Sequence, residues 1–339
     1  MGLAMPKISR RKTIQYGGIV STAALTGVAG CLGDDENGEF PDQRINLIST
    51  YPEGSGTTAI AHRLGTEITE QSGADVEVEP IGGAAGLRGT GELFGREADG
   101  YTFALLWSPS QPLATATNPP DWDILDLSGV AEIGAYTLSL VANPDYEFED
   151  FHDLVDRYND GEFDTVGGLA VGHAWHITLA IARQEADWNW SNFVTFDGTN
   201  DAIRGVAAGE VPAAITTTDV AITADQEGEI DLINNFVSDG DPNAPDVPAW
   251  VDDLGMPNID FISRYNLLAV APPDLDADRR DELVDVLSDC VESEEYQEWA
   301  DETNRIAGMG ATGDDVNDMM GTVIEEIPER LDLDELLEE

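Results

Sequence analysis

Two short glycine-rich segments are the residues best suited to bind a ligand, and each follows a predicted strand. The first runs from Tyr51 to Thr58 and the second from Gly82 to Gly89. Glycine lets the backbone approach a ligand closely, while serine and threonine supply hydroxyl groups. Each segment opens a predicted helix, whose first amide N–H groups lack partners within the helix and attract anions. One such segment alone indicates only a tight turn, whereas two at equivalent strand ends favour a site for a small anion.

Other kinds of chemistry have weaker support in the sequence. A nucleotide P-loop needs a lysine, and the chain has none after its first twelve residues. Gly83, Gly86 and Gly89 match a dinucleotide-binding loop only loosely, which leaves an exported cofactor enzyme as one alternative. His173 and His176 would share a helix face, but no cysteine or paired carboxylate stands nearby to complete a metal site. Without a catalytic motif, the sequence predicts a binding protein that has no enzymatic activity, cofactor or metal, with a surface-anchored hydrolase as a second alternative.

Strand and helix patterns alternate along the chain, which is typical of α/β folds with largely parallel sheets. The predicted strands are 44–50, 75–80, 101–107, 130–142 (as two strands separated at Gly134), 165–169, 192–196, 213–217, 230–236, a short one near Phe261, and 267–271. The predicted helices are 57–71, 84–96, 148–158, 173–184, 201–208, 220–226, 276–300 and 314–327. The pattern predicts two lobes, 43–140 with 266–339 and 141–265, and a ligand cleft between them.

The N-terminal residues predict export and anchoring. Basic residues at 10–12 precede an apolar stretch at 13–30 that is too short to span a bilayer comfortably. Adjacent arginines and small residues before Cys31 predict a twin-arginine-type signal peptide over residues 1–30. The Val-Ala-Gly-Cys sequence resembles a lipobox, so we expect Cys31 to carry the lipid that holds the protein to the outer face of the membrane. Residues 31–42 are polar and acidic and are predicted to be a disordered tether.

The composition excludes some partners and indicates an environment. From Cys31 onward the chain keeps 12 of the 16 basic residues and all 67 acidic ones, a formal charge of −55. Concentrated salt screens such repulsion, so the charge indicates a salt-loving organism. Nucleic acid is a poor partner because no basic patch is present. Cys290 has no partner once Cys31 is lipidated, and its helical pattern predicts a buried thiol.

Several further motifs stand out along the chain. These motifs are Gly-Ala-Ala-Gly-Leu-Arg-Gly at 83–89, Ala-Asp-Gly-Tyr-Thr-Phe at 98–103, the loop at 170–176, Thr-Phe-Asp-Gly at 195–198 and Gly-Glu-Val at 209–211. Together they resemble the motifs of one known family, the Bug-type receptors of tripartite tricarboxylate transporters. The resemblance implies a periplasmic-binding-protein-like receptor whose two lobes close on a small carboxylate, held by loop amides, hydroxyls and waters. It also implies membrane permease subunits as partners, and a receptor that feeds a sensor protein is the alternative. We expect a monomer.

The chain departs from the family pattern at particular positions. Thr58 or Ala59 stands where the family often has an aspartate, His173 replaces a serine, and Asp197 replaces a lysine. Arg88 could face the ligand or pair with a neighbouring carboxylate. The predicted ligand contacts are Tyr51, Ser55, Gly56, Thr57, Thr58, Gly83, Ala84, Ala85, Gly86, Arg88, Trp107, Ser108, Gly172, His173, Ala174, His176 and Asp219.

Overall fold

The secondary structure alternates between strands and helices, as predicted, but the strand predicted near Phe261 was wrong, since Asp260–Ser263 forms a short helix. A computed structural model describes residues 40–333 and Leu336; the predicted signal peptide, Cys31 and tether residues 31–39 lie outside the described residues. The strands are β1 (Ile45–Ser49), β2 (Val76–Pro80), β3 (Thr102–Ser108), β4 (Ser128–Ala142), β5 (Thr165–Gly168), β6 (Asn192–Thr195), β7 (Ala213–Thr217), β8 (Asp231–Asn235), β9 (Arg264–Ala271) and β10 (Ile306–Ala307). The helices are α1 (Gly56–Ser72), α2 (Leu87–Glu92), α3 (Ser110–Thr117), α4 (Phe151–Asn159), α5 (Ala174–Glu185), α6 (Thr199–Ala207), α7 (Thr218–Gln226), α8 (Asp260–Ser263), α9 (Ala277–Val291), α10 (Glu294–Glu302) and α11 (Asp314–Arg330).

The strands form a mixed sheet in the order β2-β1-β3-β9-β4-β7-β5-β6, with β8 and β10 also paired to β4. β1, β2 and β3 are parallel to one another, and so are β5, β6 and β7. β9 pairs antiparallel with both β3 and β4. The two parallel sections were predicted, and the antiparallel strands join them. Because the carboxyl ends of parallel neighbours meet at one sheet edge, the loops after β1, β2 and β3 lie together.

Strand β4 is continuous through Gly134, so the prediction of two separate strands there was wrong. Its first part pairs with β9 and its last part with β7 and β8, which makes it a shared element of both sections. The register shifts between Glu132 and Gly134. A Cβ atom at Gly134 would lie 2.7 Å from the carbonyl oxygen of Ile306. The glycine therefore permits the close approach of β10 and does not end a strand.

The predicted helix at 84–96 is also divided in the structure. It consists of a 3₁₀ turn at Ala84–Gly86, the six-residue helix α2, and a second 3₁₀ turn at Leu93–Gly95. Ala85 has a φ of 54°, in the left-handed region that interrupts a right-handed helix. Composition alone does not reveal this turn, because alanine favours helices.

Apolar side chains from both sections are buried against the sheet. Leu47, Phe103 and Leu287 are fully buried in the first section, and Val166 and Ile215 in the second. Cys290 is 1% exposed, which confirms the predicted buried thiol, and burial raises its pKa to about 12. Among the described residues, we find no helix with the length and apolarity that a membrane crossing requires.

Candidate functional site

The loop after β1 brings hydroxyl groups and free amides to the start of α1. Ser55 caps the helix, its side chain accepting a hydrogen bond from the Thr58 amide at 3.2 Å. The Thr58 hydroxyl is buried and lies 2.8 Å from Ser49 Oγ and 3.0 Å from Ser55 Oγ. Thr58 therefore fixes the loop from inside. The amides of Gly56 and Thr57 have no hydrogen-bond partner among residues 40–333 and are free to meet a ligand.

The loop after β2 is held in an unusual backbone conformation. Gly83, Ala84, Ala85 and Gly86 have φ angles of 128°, 50°, 54° and 92°. Such positions are strained for alanine and cluster at functional sites. The amides of Gly86 and Arg88 bond back to the Gly83 carbonyl at 3.1 and 3.4 Å. In the described part of the chain, the exposed amides of Ala84 and Ala85 have no such acceptor, so this loop also offers free donors.

Gln111, at the start of α3, connects the three loops and was not predicted. Its Nε2 donates to Thr50 Oγ1 at 3.0 Å, and its Oε1 accepts from the Trp107 amide at 2.9 Å. The side chain is fully buried. A Cβ atom at Gly86 would lie 3.0 Å from Gln111 Cδ, so the glycine is required for this contact.

A wall of aromatic rings borders these loops. Trp107 donates from Nε1 to Thr57 Oγ1 at 2.8 Å, and its ring centroid lies 4.8 Å from that of Tyr136. Tyr136 stacks on Tyr265 at 4.6 Å. Burial raises the pKa of Tyr136 and Tyr265, and also that of Tyr51, whose hydroxyl lies beside Ser110. These phenols are therefore protonated at neutral pH and can donate hydrogen bonds.

The loop after β5 comes from the second section of the sheet. His173 caps α5, its Nδ1 accepting from the Trp175 amide at 3.3 Å, and burial lowers its pKa to about 4. His173 is therefore neutral and acts as an acceptor. The Gly172 amide donates to Nδ1 of His176 at 3.2 Å, and His176 is buried against Phe193. Both histidines shape this loop.

Trp175 connects this loop to the aromatic wall. Its indole N–H lies beside the hydroxyl of Tyr265, which is on β9 and also lies beside Ser110. Both the Trp175 nitrogen and the Tyr265 hydroxyl are buried without a hydrogen-bond partner in the described chain. Buried polar groups are normally paired, so after a small shift these two groups can bond to each other or to a ligand.

Asp219 and Arg305 share a small cavity with Trp107 and Tyr136. The cavity volume is about 30 Å³, the space of roughly one water molecule. Asp219 Oδ1 and Arg305 Nε are buried and have no hydrogen-bond partner within residues 40–333. The cavity also adjoins the first loop, since a Cβ atom at Gly56 would lie 3.8 Å from Arg305 Nη2.

Two of the predicted ligand contacts, Ser108 and Arg88, have surroundings other than those expected. Ser108 lines a separate cavity with Arg264 and Asn266, because successive side chains of a strand point to opposite faces and Trp107 takes the other one. Arg88 is exposed beside Gly83, and no described carboxylate lies within ion-pair distance of it. The structure thus does not show the ion pair that was the alternative for Arg88. No group of three or more His, Cys, Asp or Glu side chains suited to a metal occurs among the described residues.

The residues that were missed come from distant segments. Tyr136, Tyr265 and Arg305 lie on β4, on β9 and next to β10, and only the paired strands bring them together. Gln111 could have been found, since a polar residue among apolar ones just after a buried strand often binds backbone. Arg305 carries a weaker signal, namely that it is one of few cations in a very acidic chain.

Comparisons with known proteins identify the family and the fold. Residues 60–320 match the family described as "Tripartite tricarboxylate transporter family receptor". Protein BugT of Bordetella pertussis is 26% identical over 258 residues, which cover 75% of this chain and 77% of BugT. A TctC solute binding protein from Polaromonas has a TM-score of 0.75 at 16% identity, covering 86% of this chain and 100% of its own. MatC from Rhodopseudomonas palustris, solved with bound malate, has a TM-score of 0.67 at 18% identity, covering 86% and 100%.

These similarities confirm the predicted fold and family. The solved structures share the curled mixed sheet and flanking helices of the periplasmic-binding-protein-like α/β fold. The family match spans most of the chain and includes the loop after β2, the aromatic wall and the loop after β5. The chain therefore belongs to the receptor family of tripartite tricarboxylate transporters, the family that its glycine loops and Asp-Gly-Tyr-Thr segment resemble.

Proposed function

We propose that the protein captures a small carboxylate between its two lobes and delivers it to membrane permease subunits. The observation that carries this proposal is the set of unpaired donors around one aromatic wall. They are the backbone amides of Gly56, Thr57, Ala84 and Ala85, together with the Trp175 indole and the Tyr265 hydroxyl. A carboxylate accepts several hydrogen bonds at once, and bonds to a charged acceptor are worth about 1.5–3 kcal/mol each. MatC, a relative in fold, was solved with malate, itself a small carboxylate.

Capture proceeds by closure and involves no chemical step. Lobe 1 comprises residues 43–140 and 266–339, and lobe 2 comprises 141–265. Strand β4 crosses from one lobe to the other, and the segment before β9 returns. A ligand that bonds to donors of both lobes stabilises the closed state over the open one, and this difference in affinity drives the movement.

The proposed setting is the outer face of the cell membrane of a salt-loving organism. Export by the twin-arginine route, the lipid on Cys31 and the tether at 31–42 would place a monomeric receptor beside its permease. The formal charge of −51 supports a saline environment, where repulsion between carboxylates is screened.

Calorimetric titration tests the capture of a carboxylate directly. The mature protein, in about 2 M salt to screen its charge, is titrated with mono-, di- and tricarboxylates of increasing length. We expect one-to-one binding of at least one of them. Absence of heat with every compound, in a protein shown to be folded by circular dichroism, would refute the proposal.

A pair of substitutions at Gly56 tests the role of a single amide. Gly56 is the first residue of α1, where proline is well tolerated, and the preceding Ser55 has the extended backbone that proline requires. Gly56→Pro removes the N–H group, whereas Gly56→Ala keeps it. We expect Gly56→Pro to bind the carboxylate at least about tenfold more weakly than Gly56→Ala, the equivalent of one charged hydrogen bond. Equal affinities would show that this amide does not contact the ligand.

A further inference from the structure

Arg305 differs from most of the other arginines of the described chain in its surroundings. Most arginines of the described chain form ion pairs with carboxylates. The Arg305 guanidinium instead lies 5.3 Å from the Trp299 ring centroid, and no described carboxylate lies within ion-pair distance. Its Nε is buried without a partner. In a chain with 67 acidic residues, an unpaired cation at a cavity indicates a place kept for an external anion.

The position of Arg305 links it to the proposed site. Its guanidinium adjoins Gly56, whose amide is free at the start of α1. A carboxylate placed there would meet the cation and the amide together. Charge-assisted bonds of this kind are shorter and roughly twice as strong as neutral ones.

Asp219 lines the same cavity as Arg305. The side chain of Asn304 donates to the Asp219 carbonyl oxygen at 3.3 Å, so the start of α7 is tied to the segment that carries Arg305. Even so, Asp219 and Arg305 form no ion pair, and Asp219 Oδ1 is buried without a hydrogen-bond donor from residues 40–333. A carboxylate that accepts no bond from the protein repels a plain anion but accepts a bond from a ligand that brings its own donor.

We propose that Arg305 binds the ligand's carboxylate and that Asp219 accepts a hydrogen bond from a hydroxyl or ammonium group of the same ligand. This inference rests on the proposed function and specifies its ligand class, carboxylates that carry a hydrogen-bond donor near the charged group. In this proposal the small cavity holds the polar end of the ligand, and the rest of the ligand lies along the aromatic wall.

Matched ligands test this selectivity in the wild-type protein. Dicarboxylates of three to six carbons are titrated as sets with no donor, a 2-hydroxyl or a 2-ammonium group, such as succinate, malate and aspartate. In the set that binds best, we expect a donor-bearing dicarboxylate to bind at least about tenfold more tightly than the one without a donor. The reason is that the donor-free ligand would leave the buried Asp219 acceptor without a hydrogen bond. The hydroxyl and ammonium members show which donor is used. Equal binding of all three members would overturn the inference but leave the proposed function intact, whereas no binding of any carboxylate would overturn both.

Substitutions assign the two roles. Arg305→Gln should weaken the binding of the best ligand at least about tenfold. Arg44→Gln is the control, because it removes the same charge and breaks only an exposed ion pair with Glu77, and it should change the affinity less than about twofold. Asp219→Ala, which removes the acceptor, should reduce the preference for the donor-bearing ligand to about threefold or less. Should Arg305→Gln fail to fold, Arg305→Lys keeps the charge without the planar fork and should bind with intermediate affinity. Unchanged affinity in a folded Arg305 variant, or unchanged preference in Asp219→Ala, would refute the assignment.

Discussion

Replacing Gly86 with alanine tests whether backbone conformation and Gln111 together hold the loop after β2. Gly86 has a φ of 92°, and left-handed backbone costs an L-residue about 1–2 kcal/mol. An added methyl group would lie 3.0 Å from Gln111 Cδ and closer still to the amide nitrogen. Because Gln111 is fully buried, its side chain would have to move and would lose its bonds to Thr50 and Trp107.

The expected loss can be estimated from these contacts. Each hydrogen bond contributes about 1–1.5 kcal/mol net, so losing both bonds of Gln111 costs about 2–3 kcal/mol. With the backbone strain, Gly86→Ala should lower the free energy of unfolding by about 3–5 kcal/mol. Gly73→Ala is the control, because Gly73 has a φ of 77° and no atom lies within 4 Å of an added Cβ. It should lose only the strain, about 1–2 kcal/mol.

Urea denaturation at constant high salt, followed by tryptophan fluorescence, measures these losses. Gln111→Ala and the double variant complete a mutant cycle with Gly86→Ala. Without the Gln111 side chain, the effect of Gly86→Ala should fall to that of Gly73→Ala, a coupling of about 2–3 kcal/mol. Equal losses for Gly86→Ala and Gly73→Ala, or strict additivity in the cycle, would refute the idea that Gln111 supports this loop.

Three further predictions concern charge, pH and the thiol. Raising the salt concentration from about 0.1 to 2 M shortens the Debye length from about 10 Å to under 3 Å, so the free energy of unfolding should rise, and a melting temperature independent of salt would contradict this. Burial lowers the pKa of His173 from 6.5 to about 4, so between these values the unfolded chain binds a proton that the folded chain does not. The free energy of unfolding should therefore fall as the pH is lowered through this window. In denaturation experiments from pH 7 to 4, His173→Asn, which keeps a helix cap, should show a shallower fall. The pKa of Cys290 is raised to about 12 by burial, so in a Cys31→Ser variant at pH 8 a thiol reagent should label the protein only after denaturant is added, and rapid labelling of the folded protein would contradict the buried position.

The fold could be predicted largely because hydrophobic periodicity is a local property. Alternating strands and helices were visible in the sequence, and the observed elements confirm most of them. The error at β4 arose from Gly134, since a glycine that admits a neighbouring backbone has the same local sequence as one that ends a strand. The error at 84–96 arose because Ala84 and Ala85 adopt left-handed backbone, which the surrounding contacts impose against their propensity.

The candidate site could be predicted only where its residues sit in loops with their own signature. The glycine loops and Trp107 met this condition, and the structure places Thr57 and Trp107 in contact. Arg305 and Tyr136 occupy segments with no local binding motif, and they reach the cavity because β10 and β9 pair with β4. Register between distant strands depends on the whole core, so no short pattern reports it.

The remaining difficulty is how so acidic a protein attracts a negatively charged ligand, and the answer depends on distance. At low salt, the field of 67 acidic side chains extends about 10 Å or more and opposes the approach of any anion. In concentrated salt that field decays within about 3 Å, so an incoming carboxylate is affected mainly by the groups that it touches. Those groups are free amides at Gly56 and Ala84, neutral donors such as Tyr265, and the unpaired Arg305. Salt should therefore strengthen the binding of the carboxylate, the opposite of what an ordinary basic anion site shows, because here screening removes repulsion by the protein's surface more than it weakens the buried contacts.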